Sequence, residues 1–385
     1  MKLLIPAASG LEQIVKRQLF SLGYEKAPAQ NGRIEVDGDW QDVARLNVLL
    51  RSGERVLIQL STFKATTFDE LYEGVYAIPW EHYLTVDSKI LMDGKSVQSV
   101  LAAIKATGGV AKKAIIRRLG DKIRTGRKTF AETGARSIVG VSIFKDEVTV
   151  TLDTSGDGLH KRGYRSLAYS APLKETLAAA LIDSTFYNPD RDAEKPFADP
   201  FCGSGTLPIE AAMKALHIAP GLQREFDFQH WACAPAGVLQ QAKEEAKDKE
   251  TLAAKPVIFA SDVNEKAVSI AKYHAKRAGV EKHVRFSVAD ARNFSSDAKY
   301  GVLLSNPPYG ERLSEEKEVR ALMADFGKTF RRLPDWNAYL LTSLPDFERY
   351  FGKTANKKKK LFNANLVCGF YCYFGKPPKS KDEHL

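Results

Sequence analysis

Hydrophobic and polar positions in the first 63 residues alternate between the spacing of strands and that of helices. An apolar run at residues 3–7 precedes apolar positions with helical spacing at 11–19, and Gly23 is expected to end that helix. The other predicted elements are a weak strand at 26–29, a strand at 33–36, a helix at 40–50 and a strand at 55–63. This order predicts a ferredoxin-like β-α-β-β-α-β domain over residues 1–63.

A second α/β domain is predicted over residues 64–155. Its elements are a helix at 67–78, a strand at 89–92, a helical region at 97–123 and two strands at 138–144 and 148–152. We expect a turn at Asp93-Gly94 and an interruption of the long helical region near Gly108-Gly109. The short connection between the last two strands predicts a hairpin.

Beyond a turn-rich joint, residues 156–385 alternate longer strands with helices, which predicts a parallel sheet covered by helices on both faces. Residues 217–255 are expected to be an insertion that contains a helix at 240–249. The predicted strands are 196–199, 257–261, 284–288, 302–305, 338–342, 360–363 and 367–374. The last two predict a terminal hairpin, and the fold class as a whole is α/β.

Composition supports a multidomain globular protein. A chain of 385 residues exceeds one usual core, and 44% hydrophobic with 27% charged residues is typical of folded domains. No apolar run reaches the roughly 18 residues that would span a bilayer, and the N-terminus does not resemble a signal peptide, so we expect a cytoplasmic protein. The four cysteines are scattered, which predicts reduced thiols and no metal site. Nothing in the sequence indicates the oligomeric state.

Charge points to a nucleic acid partner. The formal net charge is +10, and residues 105–136 alone hold ten basic and two acidic residues. Clustered cations favour phosphate backbones, whereas a solvated helix face is the alternative explanation. The candidate RNA contacts here are Lys112, Lys113, Arg117 and Arg118. A run of lysines at 357–360 is either another phosphate contact or a solvated turn.

A glycine-containing segment follows the first strand of the third domain and opens a helix, where open α/β sheets bind nucleotides. It has neither the third glycine of a dinucleotide fingerprint nor the Gly-Lys-Ser/Thr of a P-loop. Because Asp199 would repel a diphosphate, we expect a cofactor that is uncharged or cationic there, and S-adenosylmethionine fits. The predicted cofactor-binding residues are Asp199, Pro200, Phe201, Cys202, Gly203, Ser204, Gly205 and Thr206.

Acidic residues also end the next two strands. Asp262, followed by Val263, is a candidate partner for ribose hydroxyls, although it lies farther from Gly203 than the roughly 20 residues of a compact βαβ unit. Asp290, followed by Ala291, is a candidate for the adenine amino group. Each aspartate alone is better explained by a helix cap or a turn, but their shared position at successive strand ends favours a cofactor site.

The segment Asn306-Pro307-Pro308-Tyr309 follows an apolar strand and is the predicted catalytic motif. An exocyclic amine of a base is a poor nucleophile because its lone pair is delocalised into the ring. The Asn306 side-chain oxygen and the Pro307 carbonyl can each accept one N–H and so aim the lone pair at a methyl donor, which is catalysis by positioning. Asn306 therefore also counts as a cofactor neighbour, and Tyr309 offers a ring for stacking an extruded base.

Together with the stretches at 68–74, 153–156, 159–165 and 171–178, these motifs resemble the THUMP-domain RNA methyltransferases of the RlmL-like type, which modify guanine N2 in bacterial large-subunit RNA. The resemblance covers essentially the whole chain. It implies a ferredoxin-like domain, a THUMP RNA-binding domain and a Rossmann-like class I methyltransferase domain. The long enterobacterial form has a second methyltransferase domain, which this chain is expected to lack. The resemblance also implies cofactor contacts at Pro172, Lys174 and Thr176.

Several alternatives stay open at this stage. The motif does not separate guanine N2 from adenine N6, because both amines present two hydrogens to Asn306 and Pro307. Ribosomal RNA is the expected substrate, transfer RNA is the alternative, and a DNA adenine methyltransferase or a non-catalytic RNA-binding scaffold are further candidates. A second basic cluster is either an RNA contact or a linker, and its members are Lys161, Arg162 and Arg165.

Overall fold

The computed structural model describes residues 1–30, 32–123, 131–167, 173–309, 313–364 and 366–378, which form two compact units. Unit 1 comprises residues 1–7, 16–159 and 221–246, and unit 2 comprises residues 8–15, 160–220 and 247–385. None of the helices in the described ranges is both long enough and apolar enough to cross a membrane.

Unit 1 is built on one seven-stranded sheet in the order β2-β3-β1-β4-β7-β6-β5. All neighbouring strands are antiparallel except β5 and β6, which are parallel. Its strands are β1 (Lys2–Pro6), β2 (Ala29–Gln30), β3 (Arg33–Asp37), β4 (Leu57–Lys64), β5 (Lys89–Val97), β6 (Arg136–Phe144) and β7 (Glu147–Asp153). The helices that contribute residues to it are α1 (Glu12–Ser21), α2 (Trp40–Leu49), α3 (Phe68–Tyr76), α4 (Ile104–Lys122) and α7 (Val238–Asp248). The strands of the two predicted N-terminal domains thus share a single sheet, because β4 pairs with β7.

Local signals place most of these elements. Thr67 caps α3 through a capping box with Glu70, and the β6–β7 turn has positive φ at Lys145 and Asp146, as two-residue hairpin turns require. The predicted hairpin and the β-α-β-β-α-β order are both confirmed.

The expected turn at Asp93-Gly94 and the interruption at Gly108-Gly109 are both wrong. Strand β5 continues to Val97 because every residue from Lys89 onward pairs with β6, and α4 begins only at Ile104 and runs unbroken. A Cβ on Gly108 would lie 3.4 Å from the Cβ of Met92. This glycine therefore permits close packing of the helix on β5 rather than ending the helix.

Most of the predicted insertion at residues 217–255 folds with unit 1, and its two ends belong to unit 2. Residues 221–246 belong to unit 1 although they lie within the sequence of the third predicted domain. Within unit 1, the Arg136 guanidinium on β6 donates to both carboxylate oxygens of Asp227 at 2.7 and 2.8 Å. The Trp231 indole N–H donates to the Arg136 backbone carbonyl at 2.9 Å. Arg45 pairs with Glu245 at 2.8 Å. These contacts explain why the segment packs with strands that precede it by about a hundred residues.

Unit 2 contains a second seven-stranded sheet, in the order β10-β9-β8-β11-β12-β14-β13. Strands β8 to β12 are parallel, and the last two form an antiparallel hairpin at one edge. Its strands are β8 (Phe197–Asp199), β9 (Ile258–Asp262), β10 (Arg285–Val288), β11 (Val302–Ser305), β12 (Asn337–Thr342), β13 (Lys357–Asn363) and β14 (Leu366–Tyr373). Its helices are α5 (Glu175–Asp183), α6 (Thr206–Ala215), α8 (Glu265–Arg277), α9 (Leu313–Phe330) and α10 (Phe347–Phe351).

This strand order places the topological switch point between β8 and β11. Chain connections leave these adjacent parallel strands in opposite directions, and ligands of open α/β sheets bind at the carboxyl ends of such strands. The glycine-containing segment follows β8 and the Asn-Pro-Pro-Tyr segment follows β11, so the fold brings the two predicted motifs to the same crevice.

Candidate active site

The segment between β8 and α6 forms a tight loop with an open apex. Gly203 and Gly205 have φ of 51° and 86°, which favours glycine at both positions. A Cβ on Gly205 would lie 2.9 Å from the Cβ of Ala271 on α8, whereas a Cβ on Gly203 would meet no atom within 4 Å. The loop therefore packs against α8 at one glycine and borders free space at the other.

Asp199 is directed into the sheet rather than out of the loop. It is only 2% exposed, and its carboxylate accepts hydrogen bonds from the Ser305 hydroxyl at 2.7 Å and from the Phe201 amide at 3.1 Å. Burial raises the pKa of Asp199 to about 7. The expectation that its charge faces the cofactor is therefore not supported by its position. Instead, Asp199 and Ser305 tie the ends of β8 and β11 together.

Asp262 braces the glycine loop. Its carboxylate accepts from the Gly203 amide at 3.0 Å and from the Asn264 amide at 2.9 Å, and the side chain is partly exposed. Val263 beside it is 71% exposed. This strand end therefore places a carboxylate and an uncovered apolar side chain next to the open apex.

Asp290 follows β10 by two residues and caps the short 3₁₀ helix Ala291–Asn293. It also forms an ion pair with Arg292, whose side chain lowers the pKa of this carboxyl. Ala291 is buried in the hydrophobic core that contains Phe326 and Trp336, so its side chain does not face a ligand. Of the predicted cofactor residues Asp290 and Ala291, only Asp290 has a side chain that is partly exposed to solvent.

The Asn-Pro-Pro-Tyr segment is connected to the terminal hairpin. The Tyr309 hydroxyl donates to the Asn306 side-chain oxygen and accepts from the Asn363 side-chain amide at 3.1 Å. The Cys368 thiol lies 3.8 Å from the same hydroxyl, and burial raises the pKa of Tyr309. Pro307 is buried and Pro308 is exposed. The oxygen expected to accept a substrate N–H is thus already hydrogen-bonded.

Three residues of this site were not found from the sequence. Ser305 could have been suggested by its place next to Asn306 at a strand end. Asn363 and Cys368 lie in no recognisable motif, and only the pairing of β13 with β14 brings them to Tyr309.

Arg165 joins two segments that are predicted to bind the cofactor, and part of its side chain remains exposed. Its guanidinium donates to the Thr206 hydroxyl at 2.5 Å and to the Leu173 carbonyl at 3.1 Å, and it lies 3.6 Å from the buried carboxylate of Glu175. Arg165 thus connects the start of α6 with the start of α5, and because its side chain is 19% exposed the RNA contact expected of it stays a prediction.

The other residues predicted near α5 have different environments. Lys174 is exposed at the N-cap of α5, Thr176 is buried in its first turn, and Pro172 lies outside the described residues. Arg162 is 2% exposed and pairs with buried Glu210 at 3.4 Å, so the prediction that it contacts RNA is wrong. Lys161 is the only one of the three predicted cations in this cluster that is exposed.

The basic face of α4 is partly neutralised within unit 1. Lys112 pairs with Glu132 at 2.5 Å, Arg117 with Asp121 at 2.9 Å and Arg118 with Glu81 at 2.7 Å. Lys113 is exposed on the same helix. The predicted cation cluster therefore exists, but three of its four members already have an acidic partner.

Family models match three successive segments of the chain. They are an RlmL ferredoxin-like domain at residues 2–57, a THUMP domain at 65–153 and an RMKL-like methyltransferase domain at 162–371. The last match alone covers more than half of the chain. The chain belongs to the RlmL-like family of THUMP-domain RNA methyltransferases. Its methyl donor is S-adenosylmethionine.

Relatives of this RlmL-like chain differ in length. YpsC of Bacillus subtilis strain 168 is 40% identical over 99% of this chain and 98% of its own length. It carries a provisional description as an RNA methyltransferase. A ribosomal RNA large subunit methyltransferase K/L of Syntrophotalea carbinolica is 33% identical over 96% of this chain. The chain spans about half the length of the K/L relatives, 53% in this case.

Two solved structures are similar over nearly the whole RlmL-like chain. A predicted N6-adenine-specific DNA methylase from Listeria monocytogenes 4b F2365 has a TM-score of 0.91 and 44% identity, with 97% of this chain and 96% of that chain covered. SMU.472, provisionally described as a methyltransferase and solved with S-adenosylhomocysteine, has a TM-score of 0.91 and 37% identity, with 98% and 99% covered.

Proposed function

We propose that this enzyme methylates the exocyclic N2 amine of a guanosine in large-subunit ribosomal RNA. The observation that carries the proposal is the hydrogen bond between Asp199 and Ser305, which joins the two motif-bearing strands at the switch point. The names of the K/L relatives support ribosomal RNA as substrate. Because that RNA is the proposed substrate, we also propose that the enzyme acts in the cytoplasm.

The residues at the glycine loop fit the cofactor. The open space at Gly203 leaves room for a ligand against the backbone, and the partly exposed carboxylate of Asp262 can accept hydroxyl hydrogens. Exposed Val263 offers an apolar surface to a purine or ribose face. We propose that these residues, the rest of the loop, Asp290, Lys174 and Thr176 hold S-adenosylmethionine, which supplies a methyl group on a sulfonium.

The Asn306 oxygen and the Pro307 carbonyl position the substrate amine. Each accepts one N–H, which holds the nitrogen lone pair in a fixed direction and lowers the entropic part of the barrier. The Asn306 oxygen has two lone pairs, so it can accept the substrate N–H while the Tyr309 hydroxyl still donates to it. The Tyr309 ring then provides a stacking surface for the base.

Adenine N6 is a second candidate acceptor. The Listeria relative is designated an adenine methylase, and the geometry of Asn306 and Pro307 serves either amine. Guanine N2 is preferred because the matched family models carry RlmL and RMKL-like names.

We further propose three domain boundaries, with a ferredoxin-like domain at 1–63, a THUMP RNA-binding domain at 64–155 and a methyltransferase domain at 156–385. The matched segments at 2–57, 65–153 and 162–371 support these limits. Residues 221–246 are the exception, since they pack with unit 1.

The deciding experiment is methyl transfer from labelled S-adenosylmethionine to ribosomal RNA, transfer RNA and DNA from cells that lack this protein. Nucleoside digestion and chromatography then identify the product. Label in N2-methylguanosine from large-subunit RNA is the expected result. Label in N2-methylguanosine from transfer RNA would show that transfer RNA is the substrate. Label in N6-methyladenine would show that adenine N6 is the acceptor. Binding of S-adenosylhomocysteine without methyl transfer to ribosomal RNA, transfer RNA or DNA would contradict the proposal.

A further inference from the structure

The terminal hairpin, formed by β13 and β14, contacts the candidate active site near its tip. The lysines at 357–360 lie within β13, so a solvated turn is wrong for them. Farther along this strand, Leu361 and Asn363 are buried, whereas Phe362 between them is 42% exposed. Because successive side chains of a strand point to opposite faces, Asn363 lies on the inward face of the hairpin. There its side-chain amide donates to the Tyr309 hydroxyl at 3.1 Å.

Two successive hydrogen bonds connect the hairpin with the predicted catalytic asparagine. Asn363 donates to the Tyr309 hydroxyl, and this hydroxyl donates to the side-chain oxygen of Asn306. We call these three side chains the relay. A phenolic hydroxyl has one proton, and an amide N–H can only donate. The Asn363 N–H therefore occupies a lone pair of the hydroxyl oxygen and leaves the hydroxyl proton for Asn306.

The direction of the relay matters because the two ends of an asparagine amide have nearly the same size but opposite hydrogen-bonding roles. If the Asn306 amide turned over, its NH₂ group would face the substrate amine, and two donors would meet. A hydroxyl that donates to Asn306 favours the orientation with the oxygen in this place. The second lone pair of that oxygen then serves the substrate N–H.

Satisfaction of buried polar groups is the alternative explanation for these contacts. Asn363 is 8% exposed, and a buried amide needs hydrogen-bond partners whatever its function. That explanation predicts that the size and packing of the Asn363 side chain matter. A relay predicts that the direction of its hydrogen bond matters, so substitutions can separate the two.

We propose that Asn363 is a positioning residue for methyl transfer. It keeps the Tyr309 hydroxyl directed toward Asn306, and it thereby keeps the Asn306 oxygen directed toward the substrate amine. The inference rests on the proposed function, in which Asn306 accepts a substrate N–H. It gives the terminal hairpin a part in the reaction that no motif in the hairpin sequence indicates.

Asn363→Asp replaces the donor with an acceptor at nearly constant volume. Its carboxylate accepts the Tyr309 proton, so we expect single-turnover methyl transfer at about pH 8 to fall about tenfold, the loss of one hydrogen bond, with S-adenosylhomocysteine affinity unchanged. Asn363→Ala leaves the hydroxyl free to donate to Asn306, so its loss should be only about threefold. A packing role predicts the opposite order, and slower transfer by Asn363→Ala than by Asn363→Asp would overturn the proposal.

Acid should restore transfer by Asn363→Asp. A protonated carboxyl donates to the Tyr309 hydroxyl again, and burial at this position raises the pKa of the introduced carboxyl. The transfer rate relative to the native enzyme should therefore increase as pH falls from about 8 to about 5.5. Burial raises the pKa of the neighbouring Tyr309 hydroxyl and Cys368 thiol, so neither changes charge in this range. Asp199 titrates in both proteins, so the ratio removes its contribution. A constant ratio would contradict the relay.

Two further variants test whether Asn363 acts through the hydroxyl. Tyr309→Phe keeps the ring and removes the hydroxyl, so adding Asn363→Asp to it should cause no further loss, whereas multiplied losses would overturn the proposal. Asn337→Asp is the matched control. Asn337 begins β12, away from the carboxyl ends of the parallel strands, and its side-chain oxygen accepts from the Gly375 amide, as a carboxylate also can. Its transfer rate should stay within about twofold of the native rate.

NMR of side-chain amides separates this inference from the proposed reaction. In protein labelled with ¹⁵N-asparagine, the Asn306 signal is the one that is absent in Asn306→Ala. We expect Asn363→Asp and Tyr309→Phe to shift this signal, and Asn337→Asp to leave it in place. If the native enzyme transfers no methyl group to RNA, the proposed function fails. An Asn306 signal that does not move in Asn363→Asp overturns the relay, whatever the result of the transfer assay.

Discussion

Asn306 accepts a hydrogen bond from the Tyr309 hydroxyl, and this contact holds its side-chain oxygen in place for the substrate amine. We expect Asn306→Ala to abolish methyl transfer and to leave S-adenosylhomocysteine binding within about threefold of the native value, because the residue positions the amine. Single-turnover transfer and calorimetric titration measure the two effects. A parallel loss of cofactor binding would show that Asn306 supports the cofactor site instead.

Asp199 makes the stability of the cofactor-free protein depend on pH. Because burial raises its pKa to about 7, its contribution to stability is fully present below its ordinary pKa and is lost as pH rises through about 7. Asp199→Asn keeps an acceptor for Ser305 without a charge. We expect its Tm, relative to the native protein, to increase between pH 5.5 and pH 8.5. A difference in Tm that is constant across this range would contradict the pKa assigned to Asp199.

Arg165 is a positioning residue for the cofactor loop. Lysine cannot donate to both Thr206 and Leu173 while lying near Glu175, so Arg165→Lys should weaken S-adenosylhomocysteine binding by about tenfold, the loss of one charge-assisted hydrogen bond. RNA binding should not change. Exposed Lys161 provides the contrasting variant, since Lys161→Ala leaves the cofactor loop intact. Calorimetry with the cofactor product and filter binding with RNA separate the two effects.

At the level of elements, patterns local in sequence predicted structure well. The strands of unit 2 and the β6–β7 hairpin follow from alternation and turn residues, and the shared crevice follows from two motifs at strand ends. Predictions failed where the environment of a residue depends on contacts with residues distant in sequence. Gly108 reads as a helix break until β5 packs against it, and Arg162 becomes a buried ion pair only because α6 supplies Glu210.

The cations of helix α4 differ in their contacts: Lys113 is exposed, whereas Arg118 pairs with Glu81. Lys113→Ala should lower the salt slope of RNA binding by about 0.7 to 0.9 without changing Tm, because its side chain is exposed. Arg118→Ala should also lower Tm, since it breaks a two-pronged contact with Glu81. Replacing all four predicted cations by alanine should flatten the slope further. An unchanged slope in the quadruple variant would move the RNA contact away from α4.

At the level of the whole molecule, the insertion makes unit 1 depend on a segment that follows the glycine loop in sequence. Trp231→Ala in the full chain should destabilise unit 1 by about 3 to 5 kcal/mol, because it removes a buried ring and an indole donor. Hydrogen exchange should then accelerate in β6 and β7 more than in β8 and β11. Trp336→Ala, in the unit 2 core, should give the reverse pattern, and identical patterns in both variants would contradict the division into two units.

The same insertion has a consequence for synthesis. Unit 1 has all of its strands once residue 159 has been translated, but its last segment ends at residue 246, which is 87 residues later. At elongation rates of roughly 5 to 20 residues per second this is a delay of roughly 4 to 17 s. During that interval the ring of Trp40 on α2 lacks the two aromatic side chains that later pack on it, Phe228 and Trp231. Chaperones that act at the ribosome exit therefore have a defined window and a defined surface on which to hold this chain.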